Sequence, residues 1–215
     1  MSVAPDLNGD FYDISPEISE RTAVFPGDTP FRRIGALSFE RGDNLLLSSI
    51  QTSVHIGAHT DAPSHYHPNG AGISARPLRP YFGPCQVVSL KLARGERIRP
   101  VHLVGVSIQA PRILFKTGSF PDPIFWNDDF NSLSAELIEY LVTRKIILVG
   151  IDTPSVDPAQ DQVLETHQAI FRHDLSILEG IVLSEVPDGV YTLVALPLKI
   201  RDADASPVRA ILWKK

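Results

Sequence analysis

The stretch SLSAELIEYLVTRKIILVGIDTP, residues 132–154, decides the fold class. Its first half places apolar residues at positions 133, 137, 138, 141 and 142, which is helical spacing, and either Ser132 or Ser134 can cap the helix N-terminus. Its second half contains a continuous apolar run over residues 146–151, which is typical of a strand buried on both faces. A helix followed directly by a buried strand predicts an α/β fold.

Other segments predict further strands joined by short turns. The strand candidates are residues 44–56, 85–93, 112–117, 191–200 and 206–214. FPGDTP, residues 25–30, predicts a turn. Because no fixed repeat, low-complexity tract or linker interrupts the chain, we expect a single domain over residues 1–215. Ligand sites in α/β folds tend to lie beyond the carboxyl ends of strands.

The composition argues against several classes of protein. A net charge of −5 gives no support for binding to nucleic acid or to an anionic membrane surface. The single cysteine excludes an intrachain disulfide and a cysteine-based zinc site, and it favours a cytoplasmic location. The N-terminal segment does not resemble a secretory signal, and no apolar run reaches the ~18 residues of a membrane-spanning helix. We therefore expect a soluble cytoplasmic protein without a nucleic-acid or membrane partner.

One segment concentrates ionisable side chains. VHIGAHTDAPSHYHPNGAG, residues 54–72, holds four of the seven histidines, His55, His59, His65 and His67, together with Asp61. Its glycines and prolines argue against a helix. A straight strand would separate His55 from Asp61 by roughly 20 Å, which is too far for both to reach one ion. The segment must therefore leave a strand and curl, which makes it a candidate metal site.

The donor types indicate the metal chemistry. Imidazole and carboxylate ligands suit Zn²⁺, Mn²⁺, Fe²⁺ or Ni²⁺, and the absence of thiolates fits a hydrolytic centre that stays open to water. Asp61 has two oxygens and can bridge two ions that lie about 3.5–4 Å apart. Ligands for a second ion would come from residues 164–180, where the candidates are Glu165, His167, His173, Asp174 and Glu179. The residues alone do not choose among these five, and a solvated position for Glu179 is an equal alternative.

Several motifs resemble those of a known family. HIGAHTDAPSHY, residues 55–66, is similar to the signature His-x-Gly-x-His-x-Asp-x-Pro-x-His of the metal-dependent cyclase-like hydrolases. RTAVFPGDTPF, GIDTPSVDP, ILEG and LPLKIRDADASPVRAIL follow in that family's order, and the combination resembles the bacterial kynurenine formamidases (arylformamidases) within it. The resemblance extends over almost the whole chain from about residue 14. It implies a swivelling β/β/α fold, in which mixed sheets form a barrel-like core with peripheral helices.

The resemblance also implies a metal-ligand set. His55, His59 and Asp61 would bind a first ion, and Asp61 would bridge to a second. His167 and Glu179 would complete the second site. The implied cofactor is two divalent metal ions per subunit, most simply Zn²⁺.

The resemblance further implies the activity. His65 would be the catalytic proton donor and acceptor. Phe25 would contact the aromatic substrate, at a position where the family has a tryptophan; phenylalanine keeps an aromatic face but has less ring area and no indole N–H. The implied reaction is hydrolysis of N-formyl-L-kynurenine to L-kynurenine and formate in tryptophan degradation. Members of the family form homodimers with substrate sites near the subunit interface, which implies a homodimer.

Two other functions fit the same loop. One is an amide hydrolase of the same family that opens a cyclic aryl amide such as isatin. The other is a protein that binds metal without catalysis, against which the presence of His65 beside a full ligand set counts.

The remaining conspicuous side chains have ordinary explanations. We expect His67 to be a loop residue, His102 and His173 to lie on the surface, and Cys85 to be a buried apolar side chain. Trp126 and Trp213 are interpreted as packing residues. Asp152 and Asp157 fit equally well at the mouth of a pocket or in a turn.

Overall fold

The computed structural model of the protein describes residues 9–214. The strands in this part of the chain are β1 (Asp10–Asp13), β2 (Arg32–Leu37), β3 (Leu47–Gln51), β4 (His59–Asp61), β5 (Phe82–Ser89), β6 (Arg97–Ile98), β7 (Arg112–Lys116), β8 (Ser132–Leu133), β9 (Leu148–Ile151), β10 (Ser176–Leu178), β11 (Gly189–Val194), β12 (Ala205–Pro207) and β13 (Ile211–Lys214). The α-helices are α1 (Pro63–Tyr66), α2 (Ala135–Thr143) and α3 (Glu165–Arg172). None of the helices described is long and apolar enough to cross a membrane.

A mixed sheet of seven strands forms the centre of the fold, in the order β1-β13-β11-β5-β7-β9-β10. Strands β5, β7, β9 and β10 are parallel to their neighbours in this run, whereas β1, β13 and β11 join by antiparallel pairing. The predicted α/β class is confirmed. The barrel-like core is not confirmed, because β1 and β10 remain the two edges of this sheet among residues 9–214 and no pairing closes it.

The helix and strand predicted from residues 132–154 are both present. Helix α2 begins after Ser134, whose hydroxyl accepts a hydrogen bond from the backbone N–H of Leu137 at 3.1 Å. Ser134 is therefore the cap, and Ser132 lies in the short strand β8 instead. All four residues of β9 are buried, as a strand covered on both faces requires.

Two apolar clusters cover the two faces of the sheet. Along β7 the side chains alternate, so that Ile113 and Phe115 belong to one cluster and Leu114 to the other. Helices α2 and α3 pack in the first cluster. Residues at or just after the carboxyl ends of β5, β7, β9 and β10 line one cavity.

Several sequence predictions differ from the structure. The strand predicted over residues 191–200 ends at Val194, and residues 206–214 are divided between β12 and β13, which belong to different sheets. Residues 44–56 do not form one strand: β3 ends at Gln51, and it pairs with β2 in an exposed hairpin. Helix α3 was not predicted, since its sequence ETHQAIFR is mostly polar and its buried side includes Thr166 and His167. The turn at residues 25–30 is present, with the backbone N–H of Asp28 donating to the carbonyl of Phe25 at 2.9 Å.

Candidate functional site

The histidine-rich segment curls because a glycine allows it. Gly57 has a φ of 59°, in the left-handed region that an L side chain rarely adopts. The carbonyl of Gly57 packs closely on Gly180, and a Cβ on residue 180 would lie 2.1 Å from the Gly57 oxygen. This close approach lets the chain turn into β4 directly beside the end of β10.

Strand β4 and the residue after β10 are joined by the backbone. The N–H of His59 donates to the carbonyl of Glu179 at 3.1 Å, and the N–H of Glu179 donates back to His59 at 2.9 Å. Both side chains are buried, and Oε2 of Glu179 lies 3.1 Å from Nε2 of His59. Oε1 of Glu179 accepts a hydrogen bond from the N–H of Val156 at 2.6 Å. Glu179 is therefore not a solvated residue.

The carboxylate of Asp61 lies between two groups of side chains. Its Oδ1 atom is 2.9 Å from Nδ1 of His55 and 3.6 Å from Nε2 of His59. Its Oδ2 atom is 3.4 Å from Nε2 of His167. Possible ligand atoms of His55, His59 and Asp61 all lie within 4.8 Å of one another, and the same holds for a second group, Asp61, His167 and Glu179. One carboxylate thus belongs to both groups, which is the arrangement that a bridging ligand needs.

The donor atoms of the site fit divalent cations. Oδ1 of Asp61 and Nε2 of His167 are buried without a hydrogen bond of good geometry in the described chain, although nitrogen and oxygen atoms converge around them. Buried polar atoms are nearly always satisfied. Imidazole nitrogens and carboxylate oxygens that face one another in this way offer their lone pairs to a shared cation.

A second carboxylate orients His167. Asp157 is buried, and its Oδ2 atom accepts a hydrogen bond from the backbone N–H of His167 at 3.0 Å and lies 2.8 Å from that residue's Nδ1. Arg97 donates to the other oxygen of Asp157 at 2.9 Å. With Nδ1 engaged, the Nε2 atom of His167 faces Asp61. Such carboxylate–imidazole pairs set the tautomer of a metal-ligating histidine.

The excess of carboxylates shifts the titration of the site. Burial by itself would lower the pKa of His167, but contacts with Asp157, Asp61 and Glu179 outweigh it and raise that pKa to about 10. In the same way, Asp61 and Asp204 overcome burial and raise the pKa of His55 to about 9. The pKa of Asp61 lies well below its ordinary value in spite of burial, because His167 and His55 stabilise its charged form. The carboxylates of the metal-free site therefore favour positive charge among them.

A cavity of about 830 Å³ opens beside these groups. His65, on the short helix α1, lines it together with all five of the residues discussed as ligands. Phe25 also lines it and packs edge to face against Trp126, with 5.0 Å between ring centroids. Trp126 is therefore a packing residue, as predicted, and in addition part of the cavity wall.

The other histidines and acids are elsewhere. The ring of His67 stacks on Phe171 with 3.7 Å between centroids. His173 lies 2.7 Å from Glu139 at an exposed position, and His102, which is half-buried, lies 3.4 Å from Glu96. Asp174 pairs with Arg76 rather than with the site. Glu165 is absent from the residues that line the cavity.

Three residues that the structure brings to the site have no site role predicted from sequence alone. The sequence explains Asp157 equally well as a turn residue or as a residue at the mouth of a pocket. It predicts only packing for Trp126 and no role for Asp204. The motifs GIDTPSVDP and LPLKIRDADASPVRAIL contain Asp157 and Asp204, but no spacing within them relates these carboxylates to the histidine segment. Each reaches the site through sheet pairing or loop packing.

Comparison with known proteins places the chain among cyclases and formamidases. Residues 12–158 match the family model Cyclase, described as "Putative cyclase". The kynurenine formamidase of Bordetella pertussis is 45% identical over 202 residues, which cover 94% of this chain and 96% of that protein. A solved "Potential Metal-Dependent Hydrolase With Cyclase Activity" superposes with a TM-score of 0.82 at 29% identity, covering 96% of this chain and 98% of the other. An isatin hydrolase has the same fold, with a TM-score of 0.82 at 18% identity over 95% of this chain and 92% of its own.

Proposed function

The chain belongs to the cyclase family of metal-dependent hydrolases, and from this membership we propose that it hydrolyses N-formyl-L-kynurenine to L-kynurenine and formate. The supporting observation is the identity of about 45% with kynurenine formamidases over nearly their full length. The site described above has the nitrogen and oxygen donors that such amide hydrolysis needs. The chain is thus an arylformamidase of tryptophan degradation.

Two groups of side chains around Asp61 support the proposed ligand roles. His55, His59 and Asp61 would hold one divalent ion, and His167 and Glu179 would hold a second together with Asp61. We propose Zn²⁺ at both, since the ligands are imidazole and carboxylate without a thiolate. When bound, such ions lower the pKa of water to about 7 and stabilise negative charge on an oxygen.

His65 moves the proton. Its side chain is half exposed to the cavity, so substrate and water can reach it. As the water oxygen bonds to the formyl carbon, His65 accepts a proton from that water. It then donates the proton to the aryl nitrogen while the carbon–nitrogen bond breaks, which yields the amine and formic acid, and the acid releases its proton to water to give formate. An imidazole titrates near neutral pH and suits both transfers.

The aromatic wall fits the aryl ring of the substrate. Phe25 is 41% exposed as a residue and lines the cavity, and Trp126 packs edge to face against its ring. The indole N–H of Trp126 donates to Asp128 at 2.5 Å, so the rest of the ring is free to face apolar groups. Trp126 therefore supplies aromatic surface beside the phenylalanine.

Lys116 is placed for the amino-acid end of the substrate. Lys116 is the last residue of β7, and Glu179 directly follows β10, which lies two strands away in the sheet. At about 4.8 Å per strand, β7 and β10 are roughly 10 Å apart. The formyl carbon and the carboxylate of N-formylkynurenine are seven bonds apart, which spans roughly 8 Å. Lys116 lines the cavity, and among the described residues its ammonium donates one hydrogen bond, to the carbonyl of Val186 at 2.6 Å. Its other N–H donors can bind a carboxylate.

The assembly and location are part of the proposal. We propose a single cyclase-like hydrolase domain over residues 1–215, working in the cytoplasm. We also propose a homodimer, supported by the exposed apolar side chains of the β2–β3 hairpin, which include Ile34, Leu47 and Ile50. Burying such side chains against a second copy would remove them from water.

Isatin hydrolysis is the second candidate, because the isatin hydrolase shares the fold. Isatin has an aryl amide but no amino-acid end, so it would leave Lys116 without a partner. Metal analysis of the purified protein, followed by assays of N-formylkynurenine and isatin with and without a chelator, tests the proposal. We expect chelator-sensitive turnover of N-formylkynurenine at least tenfold above that of isatin. Failure to hydrolyse it with the metal sites filled would refute the proposal.

A further inference from the structure

Asp204 is a carboxylate outside the proposed ligand set that contacts two imidazoles at once. Its Oδ2 atom lies 2.9 Å from Nε2 of His55 and 3.4 Å from Nδ1 of His65. The two rings are close, with 4.1 Å between their centroids. One oxygen therefore connects the proposed proton carrier with a proposed metal ligand.

The backbone holds Asp204 in this place. Its carbonyl accepts a hydrogen bond from the N–H of Ala62 at 2.8 Å, and the next residue, Ala205, pairs with Asp61 across strands β12 and β4. The carbonyl of Ala62 in turn accepts from the N–H of His65 at 2.9 Å. Backbone hydrogen bonds thus connect the segments that carry Asp204, Asp61 and His65. The relative positions of these residues are fixed by the backbone as well as by their side chains.

The nitrogen atoms of the two rings have separate tasks. Nδ1 of His55 faces Asp61, so its Nε2–H is the donor to Asp204, as expected for an imidazole that offers its other nitrogen to a metal. When Nδ1–H of His65 points at the same oxygen, its Nε2 keeps a lone pair. That lone pair is the one that can accept a proton from water.

We propose that Asp204 is a positioning residue, which holds His65 in the tautomer with a free Nε2 and aligns it with His55. This inference rests on the proposed function for the role of His65. Asp204 is not among the residues that line the cavity, so it acts through His65, whose Nε2 takes the proton from water and returns it to the aryl nitrogen.

The test is the variant Asp204→Asn, with Asp202→Asn as the matched control. The side chain of Asp204 is 47% exposed, so the amide is not left buried without partners and the variant is expected to fold. Asp202 lies two residues away in the same turn, is exposed, and has a φ of 58°, which asparagine tolerates. The control makes the same change of charge at nearly the same place.

Two measurements on the zinc-saturated proteins decide the matter. For Asp204→Asn we expect kcat to fall about 10–100-fold, part of the 10²–10⁴ that acid–base catalysis supplies, while KM changes by less than threefold. We also expect the ¹⁵N resonances of the His65 ring to move toward a mixture of tautomers, and both measurements to be unchanged in Asp202→Asn. A wild-type kcat, or a loss of rate with unshifted His65 resonances, would overturn the proposal. The resonances need no substrate, so they test Asp204 even where the proposed substrate is wrong.

Discussion

Nδ1 of His167 lies 2.8 Å from Oδ2 of Asp157, and both side chains are buried. This contact turns Nε2 of the imidazole toward Asp61, on the far side of the ring. Asp157 is itself held at the start of helix α3 by the backbone N–H groups of Thr166 and His167. The pair keeps the pKa of Asp157 low, at about 2, because hydrogen bonds and charge from His167 outweigh burial.

Asp157→Asn is expected to weaken metal binding at the His167 group by about 10–100-fold, because the imidazole loses the carboxylate that orients it. Titration of the metal-free protein with zinc against a competing chelator measures the change. Asp161→Asn is the control, since Asp161 also pairs with Arg97 but, within residues 9–214, has no hydrogen bond or ion pair with His167. Equal affinities in the two variants would contradict the role given to Asp157.

His65→Ala and Asp61→Ala are expected to separate catalysis from metal binding. His65 is not in the proposed ligand set, so its variant should keep its metal while turnover falls by about 10²–10⁴. Asp61 belongs to both ligand groups, so its removal should lower both metal content and activity. Metal analysis beside kinetics checks both outcomes. Loss of metal in His65→Ala, with normal activity per remaining ion, would reverse the assignment.

Lys116→Met is expected to raise KM for N-formylkynurenine about tenfold, because a charge-assisted hydrogen bond to the substrate carboxylate is lost. The same variant should leave KM unchanged for 2-formamidoacetophenone, which has the aryl amide and no amino-acid end. Lys145→Met, at an exposed position outside the cavity lining, is the control. An equal effect of Lys116→Met on both substrates would exclude a carboxylate contact.

The metal-free protein is expected to lose stability between pH 6.5 and 9. His167 has a pKa of about 10 and His55 of about 9 in the folded chain, against about 6.5 in an unfolded one. The stabilisation from these protons is complete below pH 6.5 and is lost as pH rises through the folded values, because the carboxylates then repel one another. Urea unfolding at the two pH values measures it. The zinc-loaded protein should show a smaller decrease, since the ions replace the protons, and a metal-free protein that gained stability would disprove the account.

Local sequence was sufficient for the elements with strong periodicity. The spacing of apolar residues in 132–145 predicted α2, and the apolar run after it predicted β9, because each pattern is set by the period of the element and by burial of one face or both. Helix α3 was not predicted because its buried side contains polar residues of the site, so its sequence lacks the apolar pattern of a core helix. Local sequence patterns also could not predict that the sheet stays open, because this depends on which strands pair with one another and which remain at the edges.

The sequence by itself determined the chemistry of the protein. Four histidines and an aspartate in one Gly- and Pro-containing segment predicted a metal site, and the order of motifs predicted the formamidase family that the comparisons support. Only the tertiary structure decided how Glu179, Asp157 and Asp204 join that segment. These residues lie about a hundred or more positions away along the chain, and strand pairing and loop packing bring them into contact. Side chains that meet through long-range contacts leave no local pattern, because their spacing in the chain is unrelated to their distance in space.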